Sequence, residues 1–154
     1  MPGADPEVRV AVVDASVVVR WIVPERGAIE ALALLARPID WIAPRLMLTE
    51  VAAALRCKVE SAELSKELAL QGLDFVFGVM GRGALRLHRD ETVIRAALNL
   101  AFTYRHKVAD CLYVALAEHV GAAIVTADRR LSDIAEAHQL RTILLPSAEP
   151  GTGR

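Results

Sequence analysis

An α/β fold around a parallel sheet is what this sequence predicts, on three observations. Short runs of β-branched residues alternate with segments of helical periodicity. The first such run, VRVAVV, is apolar at consecutive positions, as expected of a strand covered on both faces. Helix-length segments separate the strand-like runs, and strands joined in that way lie parallel through right-handed crossovers.

The elements follow in order. Residues 8–13 read as a buried parallel strand, with a helix from Ser16. A second helix covers about 27–36, where Ile29, Leu32, Ala33 and Leu35 keep helical spacing between the punctuating Pro24 and Pro38. DWIAP is a short strand stopped by Pro44, and LTEVAAALRCKVE is a helix that starts near Leu48 or Thr49, with Glu50 in its first turn. The stripe SAELSKELALQGLDFVFGVM is expected to open on a capping signal, Ser61 and Glu63 ahead of Leu64, and to end at Gly81 and Gly83. ALRLH is a third strand, and Asp90 is the expected N-cap of the helix ETVIRAALNLAFTYR. VADCLYVALAEHV is a helix closed by Gly121. AAIVTAD, RRLSDIAEAHQ and LRTILLP complete the chain as strand, helix and strand. With no repeats and no long linker, residues 1–146 form a single domain and the Pro- and Gly-rich residues 147–154 a flexible tail.

Composition narrows the class. With 54% hydrophobic and 24% charged residues among 154, a disordered chain is excluded. A net charge of −1 carries no global nucleic-acid signature, so any basic surface is local. Cys57 and Cys111 form neither a disulfide framework nor a zinc ribbon and suit a reducing cytoplasm. The first ten residues lack the pattern of a signal peptide, and no apolar run approaches the ~20 residues that span a bilayer. A cytoplasmic protein without membrane contact is the expectation.

Four acids hold comparable positions. Asp14 ends the first strand and Asp128 the fourth; Glu50 and Asp110 stand near helix starts. Each taken singly has a structural use: Asp110 and Asp128 as caps, about 1 kcal/mol each, and Glu50 as a complement to a helix dipole. A helix start does not explain why two buried strands both end in Asp. In a parallel sheet the carboxyl ends of the strands line the ligand crevice, so all four point to one edge. Converging carboxylates repel unless protons or a cation neutralise them. Only oxygen donors are offered, with no His or Cys beside these acids, which favours Mg2+ or Mn2+ over Zn2+.

The segments VVDASVVVRW, APRLMLTEVAAALR, ADCLYVALAEHVGAAIVTADRRL and the closing strand, in that order, resemble the PIN domain family, specifically the VapC-type toxins of toxin–antitoxin pairs. The resemblance implies a three-layer α/β sandwich with a central parallel sheet of about five strands flanked by helices. It implies a Mg2+- or Mn2+-dependent endoribonuclease in which Asp14, Glu50, Asp110 and Asp128 bind metal and carry catalysis, hydrolysing RNA with a metal-activated water. Products with 5′-phosphate and 3′-hydroxyl ends, a small antitoxin partner and a homodimer are implied with it. RHKVA, ahead of Asp110, lacks the aromatic often found there.

Around the acids, Ser16 and Thr126 each lie two residues from an Asp, placed either to orient a carboxylate or to cap and bond at a strand end. Arg45, Arg105, Lys107, Arg129 and Arg130 flank the acids in sequence and are candidates for RNA phosphates. Trp21 is assigned to core or interface, Cys111 to a buried position, Asp133 to a solvated face, and His88, His106, His119 and His138 to ordinary surface or core roles. The apolar excess of LALQGLDFVFGVM suits a dimer or partner contact. Two other functions compete: a non-toxin PIN nuclease in RNA processing, and a partner-binding module whose acids hold a structural ion.

Overall fold

The structure, a computed structural model, describes residues 7–148. The first six residues and most of the expected flexible tail therefore lie outside the described residues. β1 (Val10–Val13) occupies the middle of the sheet because its side chains suit no wetter place: Ala11, Val12 and Val13 are fully buried. It pairs in parallel with β2 (Asp40–Pro44) and β4 (Ala123–Thr126), so Val12 stands opposite both Ile42 and Ile124. β3 (Leu85–His88) and β5 (Thr142–Leu144) form the edges, giving the all-parallel order β3-β2-β1-β4-β5. The five-stranded parallel sheet is the one the sequence predicts.

Helices α1 (Ala15–Ile22) and α2 (Ala28–Leu35) link β1 to β2, and α3 (Leu46–Glu60) and α4 (Lys66–Gly81) link β2 to β3. Helices α5 (Ile94–Tyr104) and α6 (Val108–Val120) return the chain to β4, and α7 (Arg129–Ala137) leads to β5. The first two crossovers step one way along the sheet and the last two the other. A common right hand then puts the two sets on opposite faces. Contacts agree: α1 packs on α2, α3 and α4, whereas α6 packs on α5 and α7 and lies across β1, β2 and β4. The result is the three-layer sandwich. Strand order reverses between β1 and β4, and this switch point is where a crevice opens beyond the strand ends.

Several local expectations are corrected. α4 is capped by Ser65, whose Oγ accepts from the Leu68 N–H at 3.1 Å; Ser61 instead donates to Glu63 in the turn that ends α3. The capping chemistry is right but sits four residues later, because the chain first reverses through Ala62 at φ +61°. Asp90 does not cap α5. It opens a separate 3-10 turn, Asp90–Thr92, its carbonyl accepting from Val93 N–H, and α5 starts at Ile94. α3 starts at Leu46, which moves Glu50 from the first turn into the second. Gly121 does close α6, in the left-handed region at φ +67°. Cys57 is exposed, Cys111 is buried, and both are free thiols. No helix among the described residues is long and apolar enough to cross a membrane.

Candidate active site

Asp14 is the residue immediately after β1, and only 7% of it is exposed. Its backbone N–H donates to Val125 O on β4, 3.0 Å away, which ties it to the switch point. Its Oδ2 accepts from Ser16 Oγ at 2.6 Å and from Thr126 Oγ1 at 2.8 Å. Each hydroxyl in turn accepts a backbone N–H: Ala127 donates to Ser16 Oγ and Asp128 to Thr126 Oγ1. A hydroxyl has one proton, so these contacts aim both protons at Asp14. The two uses foreseen for Ser16 and Thr126, orienting a carboxylate and bonding at a strand end, are performed together. Among the described residues nothing donates to the other oxygen, Oδ1.

Burial raises the Asp14 carboxyl above its ordinary range; the two hydroxyls oppose that shift, and the charges of Asp110 and Asp128 add to it. Glu50, half-buried on α3, is also raised by burial and by Asp14 and Asp110, against a hydrogen bond from Tyr113 and the charge of Lys107. Tyr113 is a fully buried residue of α6 whose hydroxyl reaches Glu50 Oε1 at 2.5 Å. Burial and the two carboxylates push the Tyr113 phenol far upward, so it remains a donor. Nothing in the reading of the sequence singled out Tyr113. The available signal was its place three residues after Asp110, on the same helix face.

Asp110 lies in the first turn of α6, and His106, in the turn ahead of it, brings Nε2 within 2.8 Å of Asp110 Oδ2. That approach has the separation of an ion pair but not the alignment of a hydrogen bond, and Nε2 is buried without a hydrogen-bond partner. The expectation that no histidine stands beside the acids is overturned. His106, Asp110 and Asp128 each offer a ligand atom within 4.8 Å of the others, a trio able to hold a metal ion among the described residues. Asp128 caps α7, its Oδ1 accepting from the N–H groups of Arg130 and Leu131. The structural use of Asp128 is thus real, and it engages one oxygen of two. Asp128→Ala is expected to lower stability by about 1 kcal/mol and Asp128→Asn by only a few tenths, since Asn caps equally well. Urea denaturation checks this, and equal losses in the two variants would remove the cap from the account.

All four acids line one cleft of about 340 Å3, together with Ser16, Arg20, Glu25 and Lys58. The cations in its wall are not those foreseen. Arg20 bonds the carbonyls of Arg26 and Ser16 and lies 3.5 Å from Glu25, which Lys58 grips at 2.6 Å. Arg45, Arg105, Lys107, Arg129 and Arg130 are exposed and stand outside the cleft lining, Arg129 facing a neighbouring hollow with Arg26. None of the five joins an ion pair among the described residues, although the charge of Lys107 still reaches Glu50.

Comparisons with known proteins agree with the fold. Residues 11–137 match the PIN domain family. Ribonuclease VapC3 of Pyrobaculum aerophilum is 30% identical over 122 residues, spanning 79% of this chain and 92% of that protein. The crystal structure of PAE2754 from Pyrobaculum aerophilum superposes with a TM-score of 0.65 at 19% identity, covering 87% of this chain and 83% of that one. VapBC2 from Rickettsia felis, bound to a DNA fragment from its promoter, gives 0.59 at 15% identity, covering 88% and 98%. A toxin–antitoxin complex from Klebsiella pneumoniae gives 0.55 at 16% identity, covering 78% and 88%. With four acids gathered where β1 and β4 part, and with the family match running from β1 into α7, this chain belongs to the PIN domain family.

Proposed function

We propose that this protein is a divalent-cation-dependent endoribonuclease acting as the toxin of a toxin–antitoxin pair. The observation that carries the chemistry is Asp14: a buried carboxylate with two hydroxyls on one oxygen and none on the other, facing three further acids. Such a group needs a proton or a cation on its free oxygen. The donor set fits a hard cation, with carboxylate oxygens from Asp14, Glu50, Asp110 and Asp128 converging on one cleft. Mg2+ or Mn2+ bound there supplies a Lewis acid that activates water near neutral pH and stabilises charge developing on a phosphate. Asp14 and Asp110 hold the cation; Ser16 and Thr126 fix the Asp14 carboxylate, and Tyr113 fixes Glu50. Asp128 contributes the oxygen its cap leaves free, and the exposed Arg45, Arg105, Lys107, Arg129 and Arg130 supply local positive charge for RNA phosphates.

The toxin role rests on similarity to a protein named a VapC ribonuclease and on likeness in fold to toxin–antitoxin complexes. An apolar groove between α3 and α4, lined by Ala52, Leu55, Val59, Ala69, Leu70 and Leu73, suits the antitoxin segment. The exposed stripe of Ile94, Leu98 and Phe102 on α5 suits a homodimer, as do Phe75 and Phe77 on α4. Sequencing of RNA ends after expression tests the proposal: new 5′-phosphate ends at defined positions are expected, and their suppression when the antitoxin is co-expressed. Cation binding without cleavage of any RNA would instead favour the binding module. Cleavage with no antitoxin partner would favour a nuclease of RNA processing.

The raised carboxyls predict a pH dependence. Below about pH 3.8, the ordinary value for Asp14, the group is protonated in both folded and unfolded states and no penalty is present. As pH rises, the unfolded chain releases its proton first, so the folded state holds more protons and stability falls through the raised range. The cation-free protein is therefore expected to melt at lower temperature at pH 7 than at pH 5. Mn2+ at a hundred times its Kd adds about 2.7 kcal/mol. Melting curves with and without chelator check both, and a cation-free melting temperature that rises from pH 5 to pH 7 would refute the assignment.

A further inference from the structure

We propose that His106 is a cation ligand, the nitrogen donor of a position it shares with Asp110 and Asp128, and that it biases the cleft toward Mn2+ over Mg2+. The inference rests on the cation site proposed above and adds a residue to it.

His106 is placed by the backbone. α5 ends at Tyr104, Arg105 enters the left-handed region at φ +51°, and the His106 N–H folds back to the carbonyl of Ala101. A left-handed Arg is a conformation that L-residues adopt only when their surroundings impose it. Its consequence is to turn His106 toward the first turn of α6, where Asp110 stands. The imidazole is then 94% buried, since its side chain is 6% exposed. Its Nε2 has no hydrogen-bond partner, although a carboxylate oxygen lies 2.8 Å away. An imidazolium serving only as an ion-pair partner would direct its N–H along that contact. What remains is a buried nitrogen in a place where the other members of the trio are anionic oxygens within 4.8 Å. Buried polar atoms in native proteins are nearly always satisfied, and a cation satisfies all three of these at once.

The choice of cation follows from the donors. Mg2+ holds to oxygen ligands and gives up its water reluctantly. Imidazole nitrogen raises affinity for first-row transition ions, of which Mn2+ is the most Mg2+-like. Asp14 and Glu50 lie outside the trio but line the cleft with Asp110 and Asp128, so the donors divide into an all-oxygen side and a mixed side to which only His106 brings nitrogen.

The test uses the full chain stripped of metal. Mn2+ is titrated by electron paramagnetic resonance and Mg2+ by calorimetry, for the wild type, His106→Leu, His106→Gln and Asp14→Asn. Nitrogen-14 modulation is read on the bound Mn2+. The wild type is expected to bind Mn2+ more tightly than Mg2+ and to show directly bound nitrogen. His106→Leu should lose that signal and at least about tenfold in Mn2+ affinity, with a smaller loss for Mg2+. Bound Mn2+ with no nitrogen modulation in the wild type overturns the inference whether or not the variants fold. An unchanged Mn2+ affinity in folded His106→Leu overturns it as well. If instead the wild type binds neither cation, the cation site itself fails; if Asp14→Asn alone loses binding, the all-oxygen side stands and His106 does not.

Discussion

Asp14→Asn is expected to lower RNA cleavage by on the order of 10^3-fold or more while leaving the fold intact. The substitution is isosteric, and the amide oxygen can take the place of Oδ2, accepting from Ser16 and Thr126. The amide nitrogen then occupies the position of Oδ1, so the only part of the side chain that faces the cleft changes from acceptor to donor. A donor repels a cation, and no neighbour replaces the lost charge. The same change should raise the melting temperature of the cation-free protein. It removes a carboxylate that burial disfavours and that Asp110 and Asp128 disfavour further. The gain should be largest at pH 7 and vanish only below about pH 3.8, where the wild-type carboxyl is neutral in both states. Activity and cation-free stability must therefore move in opposite directions, which separates a functional carboxylate from a structural one. Cleavage within tenfold of wild type, or a variant less stable than wild type at pH 7, would sink the role assigned to Asp14.

Asp14 and Asp128 were legible because strand ends are legible. A run such as AVV or AIV announces a buried strand, and the first charged residue after it must stand at the sheet edge. The same reasoning reached Ser16 and Thr126, which are two residues from an acid in the chain and touch it in space. His106 and Tyr113 were not reached, since their contacts depend on how α5, α6 and α3 pack. Tyr113 meets Glu50 across 63 positions of sequence, and His106 meets Asp110 only because Arg105 turns the chain in a left-handed step that few arginines take. Ser65 was passed over for Ser61 because both precede an acidic helix start, and only the reversal at Ala62 decides between them. Arg20 and Lys58 were missed for a similar reason. Glu25, far from Lys58 in sequence, recruits both to the wall of the cleft.

Trp41→Ala is expected to cost about 3–5 kcal/mol, a large part of the roughly 5–15 kcal/mol that holds a domain together. Trp41 is 1% exposed on β2 and stands opposite Ala11 on β1, where only a small residue leaves room for it. Its ring meets Trp21 of α1 edge-on, with centroids 5.8 Å apart and planes at 69°. The two indoles thus pin α1 to the sheet, and α1 carries Ser16, which holds the Asp14 carboxylate. Both indole N–H groups are buried without a hydrogen-bond partner, so the contact is one of shape and area alone. Trp41→Phe removes one of these orphan donors along with part of the ring and should lose less than about half as much as Trp41→Ala. Urea midpoints measure both, and a Trp41→Ala loss below about 1 kcal/mol would show that the site collapses around the gap. With the pin gone, Ser16 and Asp14 no longer share a fixed geometry. Cleavage by the folded fraction of Trp41→Ala at low temperature should therefore fall further than the folded fraction itself, whereas a purely structural tryptophan would leave the activity per folded molecule unchanged.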